Sequence, residues 1–419
     1  MSRQNREPNR HRGTMMRRAM RRTMRRAMTA AATVAVTAVL AGTGAAAAQT
    51  VKVGLILTYS GPDAAIGEQI DRGIKLYVKE HARNLPEGVT VEIVRRDDGG
   101  PNPDTAKRLA QELILREKVS ILTGGQWTPN AMAMAALSRE ARIPLVVMAA
   151  GGSVVTQQSP YIVRTGFTLW QSSYPLGQWA FRSGLKKVVT VVSDFAPGLE
   201  GERAFSRGFT GAGGTIAGAI RVPLQTSDYL PFFQRAKDAA PDAIYVFNPG
   251  GPKATAFMKA IQDVGIPAAG IKLLGPGDIT TDEELPNMGR APLGVITAHH
   301  YSAAGDRPAN AAFVAAWKKE YGAEAVPNYF SVGGWDGMKA IYDAVAAQKG
   351  KADPERTIAL LQRWSNPDSP RGPIAIDPET RDIIQNEYIR RVEEVNGRLA
   401  NVEIETIADV KDPWKEMEK

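Results

Sequence analysis

The sequence predicts an α/β protein of two lobes, each built on a parallel sheet flanked by helices. Three observations carry that expectation. From residue 51 onward, apolar runs rich in Val and Ile alternate with stretches of helical periodicity, as in repeated βα units. The rhythm pauses at FTLWQSS (167–173) and then starts again; one sheet of so many strands is uncommon, so two sheets are expected. Nearly all the predicted strands end in turns rich in Gly and Pro, namely TYSGP, TGGQWT, MAAGGS, SDFAPG, FNPGG and GPGD. Ligands of open α/β sheets bind at such carboxyl ends, so backbone is expected to line the crevice.

In chain order, VKVGLIL (51–57) is a continuous apolar run bounded by TYSGP and reads as a strand buried on both faces. Ile70, Ile74, Tyr77 and Val78 then share one helical face. VTVEIVRRDD (89–98) is the second strand, and Asp104 or Thr105 caps a helix whose stripe is Ala106, Leu109, Ala110, Leu113 and Ile114. VSILTGG (119–125) is the third strand, NAMAMAALSREARI the third helix and IPLVVMAAGG (143–152) the fourth strand. After the pause the alternation resumes with KKVVTVVSD (186–194) and runs through DAIYVFNPGG, IKLLGPG and GVITAHHYS (294–302). A long helical stretch spans 309–350, and the tail from Arg371 alternates in period two around turns, which predicts antiparallel strands.

The formal net charge is +8, but residues 1–48 hold ten Arg and one acid, so +9 lies there and the rest of the chain carries −1. A polyanion partner, and nucleic acid with it, therefore has no support. Residues 1–48 read as an export signal: MMRRAMRRTMRRAM is a basic n-region, TAAATVAVTAVLAGTG an apolar h-region, and AAAAQT a small-residue cleavage site before Gln49. The chain has no cysteine, which excludes a lipoprotein anchor, disulfide staples and thiol chemistry. An exported receptor in the periplasm is the expected destination, acting as a monomer.

Motifs for catalysis are missing. TYSGPDAAIGEQ does not match a dinucleotide-binding glycine loop, and there is neither a Walker loop nor a G-x-S-x-G elbow. His299–His300 has no second pair spaced for a metal. No enzyme activity, cofactor or metal is expected. LTGGQWTPNA (122–131) is more informative, because a strand ends in two glycines just before a helix starts at Trp127–Thr128. Free N–H groups at a helix start attract anions, and an indole beside them attracts a flat or apolar body.

SGPDAAIGEQIDRGIKLYV (60–78), RRDDGGPNPDTAKRLAQELI (95–114), SDYLPFFQRAKDAAPDAIYVFNPGGPKATAFMKAIQDVGI (227–266) and VPNYFSVGGWDGMKAIYDAV (326–345) occur in this order. They resemble the type I periplasmic solute-binding proteins, the branched-chain amino-acid receptor family of ABC importers. The resemblance covers roughly residues 51–400. It implies two Rossmann-like lobes joined by three crossovers that close on one small molecule, with delivery to a membrane permease. Lobe one is then 50–167 with 301–368, lobe two 168–300 with 369–410, and 411–419 a tail. A sensor of the same fold, feeding a membrane signalling partner, is the alternative role.

The resemblance also proposes a site. Relatives that bind amino acids hold the ligand carboxylate with a hydroxyl and N–H groups at the third helix start, here Thr128, and with a donor after the fourth strand, here Gly151. The ammonium half departs from their pattern. Two residues after the carbonyl of Ala149, where relatives carry a hydroxyl, stands Gly151; where they carry an acid stands Gly277, with Asp278 one place on. A buried ammonium without a charged partner is costly. Ile66, Pro197 and Gly250 replace bulkier wall residues, while Tyr59, Trp127, Phe195 and either Tyr301 or Trp335 are left as apolar walls. A larger, less polar cavity is expected, taking an aromatic or aliphatic carboxylate in preference to an α-amino acid; a true branched-chain amino-acid receptor is the alternative ligand reading.

Overall fold

The computed structural model describes Met1 and residues 49–417. The export signal read in residues 1–48 lies outside the described residues, Met1 apart. The described chain begins with β1 (Gln49–Leu57), α1 (Ala64–His81), β2 (Val89–Asp97), α2 (Pro103–Leu115), β3 (Ile121–Gly124), α3 (Thr128–Ala141), β4 (Leu145–Val147) and β5 (Ile162–Arg164). The strands form one sheet in the order β2-β1-β3-β4-β5, parallel throughout. Val53, Leu55, Ile56 and Leu57 are fully buried, which is why β1 reads as an unbroken apolar run. The cap of α2 falls on Asn102, whose side chain accepts from Thr105 N–H, two residues before the predicted Asp104.

The second half opens with α4 (Leu169–Arg182), started by a capping box in which Thr168 and Gln171 satisfy each other's backbone. Then come β6 (Lys187–Ser193), α5 (Ala196–Gly211), β7 (Thr215–Val222), α6 (Leu230–Asp238), β8 (Ala243–Phe247), α7 (Pro252–Asp263), β9 (Lys272–Pro276) and β10 (Ile296–His299). These strands run parallel in the order β10-β9-β8-β6-β7. The predicted long helical stretch is two helices, α8 (Pro308–Tyr321) and α9 (Tyr329–Ala347). Asn328 breaks it, because its side chain accepts from Phe330 and Ser331 N–H and starts α9 anew.

After α10 (Pro354–Leu361), the strands β11 (Ser365–Asn366), β12 (Ile374–Ile376), β13 (Ile383–Val395) and β14 (Arg398–Val410) extend the second sheet in antiparallel fashion, as the period-two pattern predicts. The pair Ser365–Asn366, in a segment assigned above to lobe one, joins this second sheet. The short α11 (Pro413–Met417) ends the described chain.

The path passes between the two sheet layers three times: after β5, after β10 and after α10. The middle return is secured by α9, which lies backbone to backbone on α1. A methyl on Gly73 would strike the Ser331 carbonyl oxygen, and one on Gly334 the carbonyl oxygen of Ile70. Buried Arg371 joins all three passages. Its Nε donates to Asp336 Oδ2 of α9 (2.9 Å), and its Nη1 to the carbonyl of Gly166 after β5 (2.9 Å) and to Gln385 Oε1 of β13 (2.8 Å).

Candidate functional site

Strand ends of both sheets converge on a small cavity lined by residues of each. From the first sheet come the turns after β3 and β4, and from the second those after β6, β8 and β9. Nine of the sequence-derived candidates meet there: Ile66, Trp127, Thr128, Ala149, Gly151, Phe195, Pro197, Gly250 and Asp278.

The cradle is built from two turns. At the start of α3 no side chain caps the helix, so Thr128 is not spent on capping. Pro129 has no N–H to leave unpaired, but Thr128 and Asn130, in the first turn, have no intrahelical partner for theirs. Gly152 N–H donates to Thr128 Oγ1 (3.2 Å), which leaves the threonine hydroxyl proton for an acceptor in the cavity. Neighbouring N–H groups are taken: Ala150 donates to the Gly125 carbonyl and Ser153 to Glu200 Oε1 (2.8 Å). The Gly151 N–H has no partner among the described residues. Added side chains would crowd both positions. A Cβ on Gly152 would sit 2.6 Å from Thr128 Cγ2, and one on Gly151 would sit 3.1 Å from the Phe167 ring.

Behind the cradle lies Arg164, fully buried at the end of β5. Its Nη1 donates to the carbonyls of Ala150 (2.8 Å) and Phe167 (3.0 Å), and its Nη2 to that of Gly152 (2.7 Å). These bonds turn the loop's carbonyls onto the guanidinium and put a positive charge behind the cradle. Asp382 lies 2.9 Å from Arg164 Nε and balances the guanidinium. The indole of Trp127 is locked in turn: its Nε1–H donates to Thr58 Oγ1 (2.9 Å), whose proton goes to Asp98 Oδ1 (2.6 Å).

The remaining wall is apolar. Phe167, Leu169, Phe247, Pro249 and Phe330 line it together with Phe195 and Pro197, and Phe195 lies 6.0 Å from Phe247, centre to centre. Asp278 is the one ionisable group in the lining. Tyr329 Oη–H donates to its Oδ1 (2.8 Å), yet burial dominates and pushes the carboxyl up to about 6. Glu200, beside Gly152 at the edge of the cradle, is also raised, chiefly by burial.

Three candidates lie elsewhere. Tyr59 borders a separate surface depression with Glu68, Asp71 and Arg95, because the turn after β1 carries its ring away from the crevice. Gly277 stands behind the wall, where a Cβ would strike Arg390 and His299; it is Asp278 that faces the cavity. Tyr301 is a fully buried core residue against Phe313, and its carbonyl accepts from Arg390 Nη1. Trp335, the alternative to Tyr301, packs on Tyr77 and Phe313. The residues that sequence reasoning missed are Gln126, Phe167, Leu169, Phe247, Pro249 and Phe330. All six sit in stretches already singled out, TGGQWT, FTLWQSS, FNPGG and VPNYFSVGG, but the pattern did not say which side chains turn inward. Their rings bound the space expected to be left by the small residues at 197 and 250.

Two α/β layers crossed three times by the chain, with one apolar cavity at the facing strand ends, define a two-lobed ligand-binding protein. The chain belongs to the periplasmic binding protein family, whose profile matches residues 50–398. It is a family of periplasmic solute receptors and not a class of enzymes. Leu/Ile/Val-binding protein homolog 6 of Brucella melitensis is 43% identical over 372 residues, covering 88% of this chain and 94% of the relative. A solute-binding protein of an ABC transporter from Rhodopseudomonas palustris BisB5, solved with 3,4-dihydroxybenzoic acid, is 49% identical with a TM-score of 0.84 and covers 87% of this chain and 99% of its own. One from R. palustris HaA2, solved with p-hydroxybenzoic acid, is 45% identical with a TM-score of 0.84, over 88% of this chain and 100% of its own.

Proposed function

We propose that this chain is the solute receptor of an ABC importer, and that it holds a small aromatic carboxylic acid in its cleft. The observation that carries this is the cavity's division of labour. One wall offers the Thr128 hydroxyl and the unpartnered Gly151 N–H, and the others are rings and aliphatic side chains. Main-chain donors stabilise an anion without a facing cation, and an aromatic body stacks where a flat one fits. The aromatic acids bound by the two R. palustris proteins support the same reading. The export segment of residues 1–48 is removed in the periplasm, and the loaded monomer, its lobes divided at 167–168, 300–301 and 368–369, docks on a membrane permease.

One observation favours a second reading. Asp278 reaches the cavity, so an α-ammonium has a carboxylate to meet, as a branched-chain amino acid requires. Against it, no hydroxyl stands at Gly151. A thermal-shift screen separates the two. Benzoic and hydroxybenzoic acids raise the melting temperature, because a ligand at about 100 times its Kd adds roughly 2.7 kcal/mol, while leucine and valine leave it unchanged. Stabilisation by the amino acids alone would sink the proposal.

A further inference from the structure

We propose that Asp278 makes the cleft select aromatic acids that carry a ring hydroxyl across the ring from the carboxylate. This rests on the aromatic-acid reading and goes beyond it by assigning a selecting residue to the wall opposite the cradle.

Asp278 follows β9, on the second-sheet side of the cavity, whereas Thr128 and Gly151 follow strands of the first sheet. It is 5% exposed and lines the cavity, with Oδ2 itself buried. Its position is fixed from two sides. Oδ1 accepts from Tyr329 Oη–H (2.8 Å). Oδ2 lies 3.8 Å from His299 Nε2 and has no hydrogen bond. His300 N–H donates to His299 Nδ1 (3.0 Å), so the ring proton sits on Nε2, too far from Oδ2 for a hydrogen bond. The imidazole is held neutral, because burial keeps its pKa well below the ordinary value.

The carboxylate thus has one donor at bonding distance in an apolar wall, where its lone pairs can take several. An under-satisfied buried acceptor is costly and gains most from a donor that a ligand brings in. A ring hydroxyl is neutral, donates one proton and lies across the ring from the acid group. An α-ammonium sits one carbon from its carboxylate, beside the cradle. A site built to bond a hydroxyl discriminates strongly against the analogue that lacks it, since the protein group then stays unpaired.

Calorimetric titration of wild type, Asp278→Ala and Asp278→Asn with benzoate and 4-hydroxybenzoate tests this. The expected result is that wild type binds 4-hydroxybenzoate at least roughly tenfold tighter than benzoate. In Asp278→Ala the ratio falls to within about threefold, and Asp278→Asn lies between. Retained benzoate binding separates selectivity from damage to the fold. If wild type binds both acids equally, or if both variants keep the full ratio, the assignment to Asp278 is wrong while the aromatic-acid reading stands. If wild type binds neither acid, both fail.

Discussion

Under the proposed function Thr128 and Gly151 serve the same carboxylate differently, the first through its hydroxyl and the second through an N–H that has no partner among the described residues. Thr128→Val keeps the shape and removes the hydroxyl. It is expected to weaken binding of an aromatic acid by roughly tenfold or more, the loss of one hydrogen bond to a charged group, read by calorimetry; unchanged affinity would remove Thr128 from the cradle. A second residue-level outcome concerns acid–base balance. Glu387 on β13 is buried between Gln385, Arg390 and Arg371, with Oε2 unpartnered, and burial pushes it up to about 8 from an ordinary 4.5. Glu283 and Asp412 are raised to about 7. A folded pKa above the unfolded one means the native state keeps a proton the unfolded chain has lost, so stability falls as pH rises through that window. His299 and His300 are held well below 6.5 and work in the opposite sense, but only up to about that pH. The melting temperature should therefore fall between pH 6.5 and 8, and Glu387→Gln should flatten the slope; equal slopes in both proteins would contradict this. At this scale the sequence was informative where position in the fold decides the role. The family resemblance pointed to Thr128, Gly151 and Pro197, and all three line the cavity. The sequence was silent where side-chain direction decides, as with Phe167, Phe330 and the outward-facing Tyr59.

At the scale of elements, the central parallel strands were legible because burial on both faces leaves them long apolar runs. The long helical stretch read as one element and is two, since the cap that divides it is local chemistry at Asn328 and Ser331. The three-residue strand β5 was missed, as Ile162–Arg164 is too short for a period to show. The contact that sets the site's scaffold, α1 on α9, was also unreadable. Its glycines look like helix defects in the sequence, yet Gly73 and Gly334 let the two backbones touch. Gly73→Ala is expected to cost about 1–3 kcal/mol or more by overpacking, whereas Gly211→Ala at the end of α5, with open space around it, should change stability by less than about 1 kcal/mol. Urea unfolding of the two variants decides, and equal midpoints would show that the close approach of α1 and α9 matters little.

Across the whole molecule, paired groups join the two layers. Glu200 of α5 accepts from Ser153 N–H, and Lys253 of α7 lies 3.1 Å from Asp63 before α1. Such contacts exist only when the layers are close, so they favour the closed form together with the ligand. Lys253→Ala should weaken binding only slightly, by about 0.2–1 kcal/mol for a partly exposed pair, and a larger loss would mean that this clasp rather than the cavity sets the affinity. The two-layer plan was visible in the sequence from the pause at 167–173 and the restart, while the clasps depend on how the layers face each other. The central claim is that the cleft recognises one negative head group by main-chain and hydroxyl donors and lodges an aromatic body against it. Calorimetry of the chain from residue 49 with benzoate, benzamide and leucine tests it most directly. Benzoate should bind, benzamide at least roughly tenfold more weakly, and leucine not at all. Benzamide binding as tightly as benzoate, or leucine binding where benzoate does not, would contradict the account.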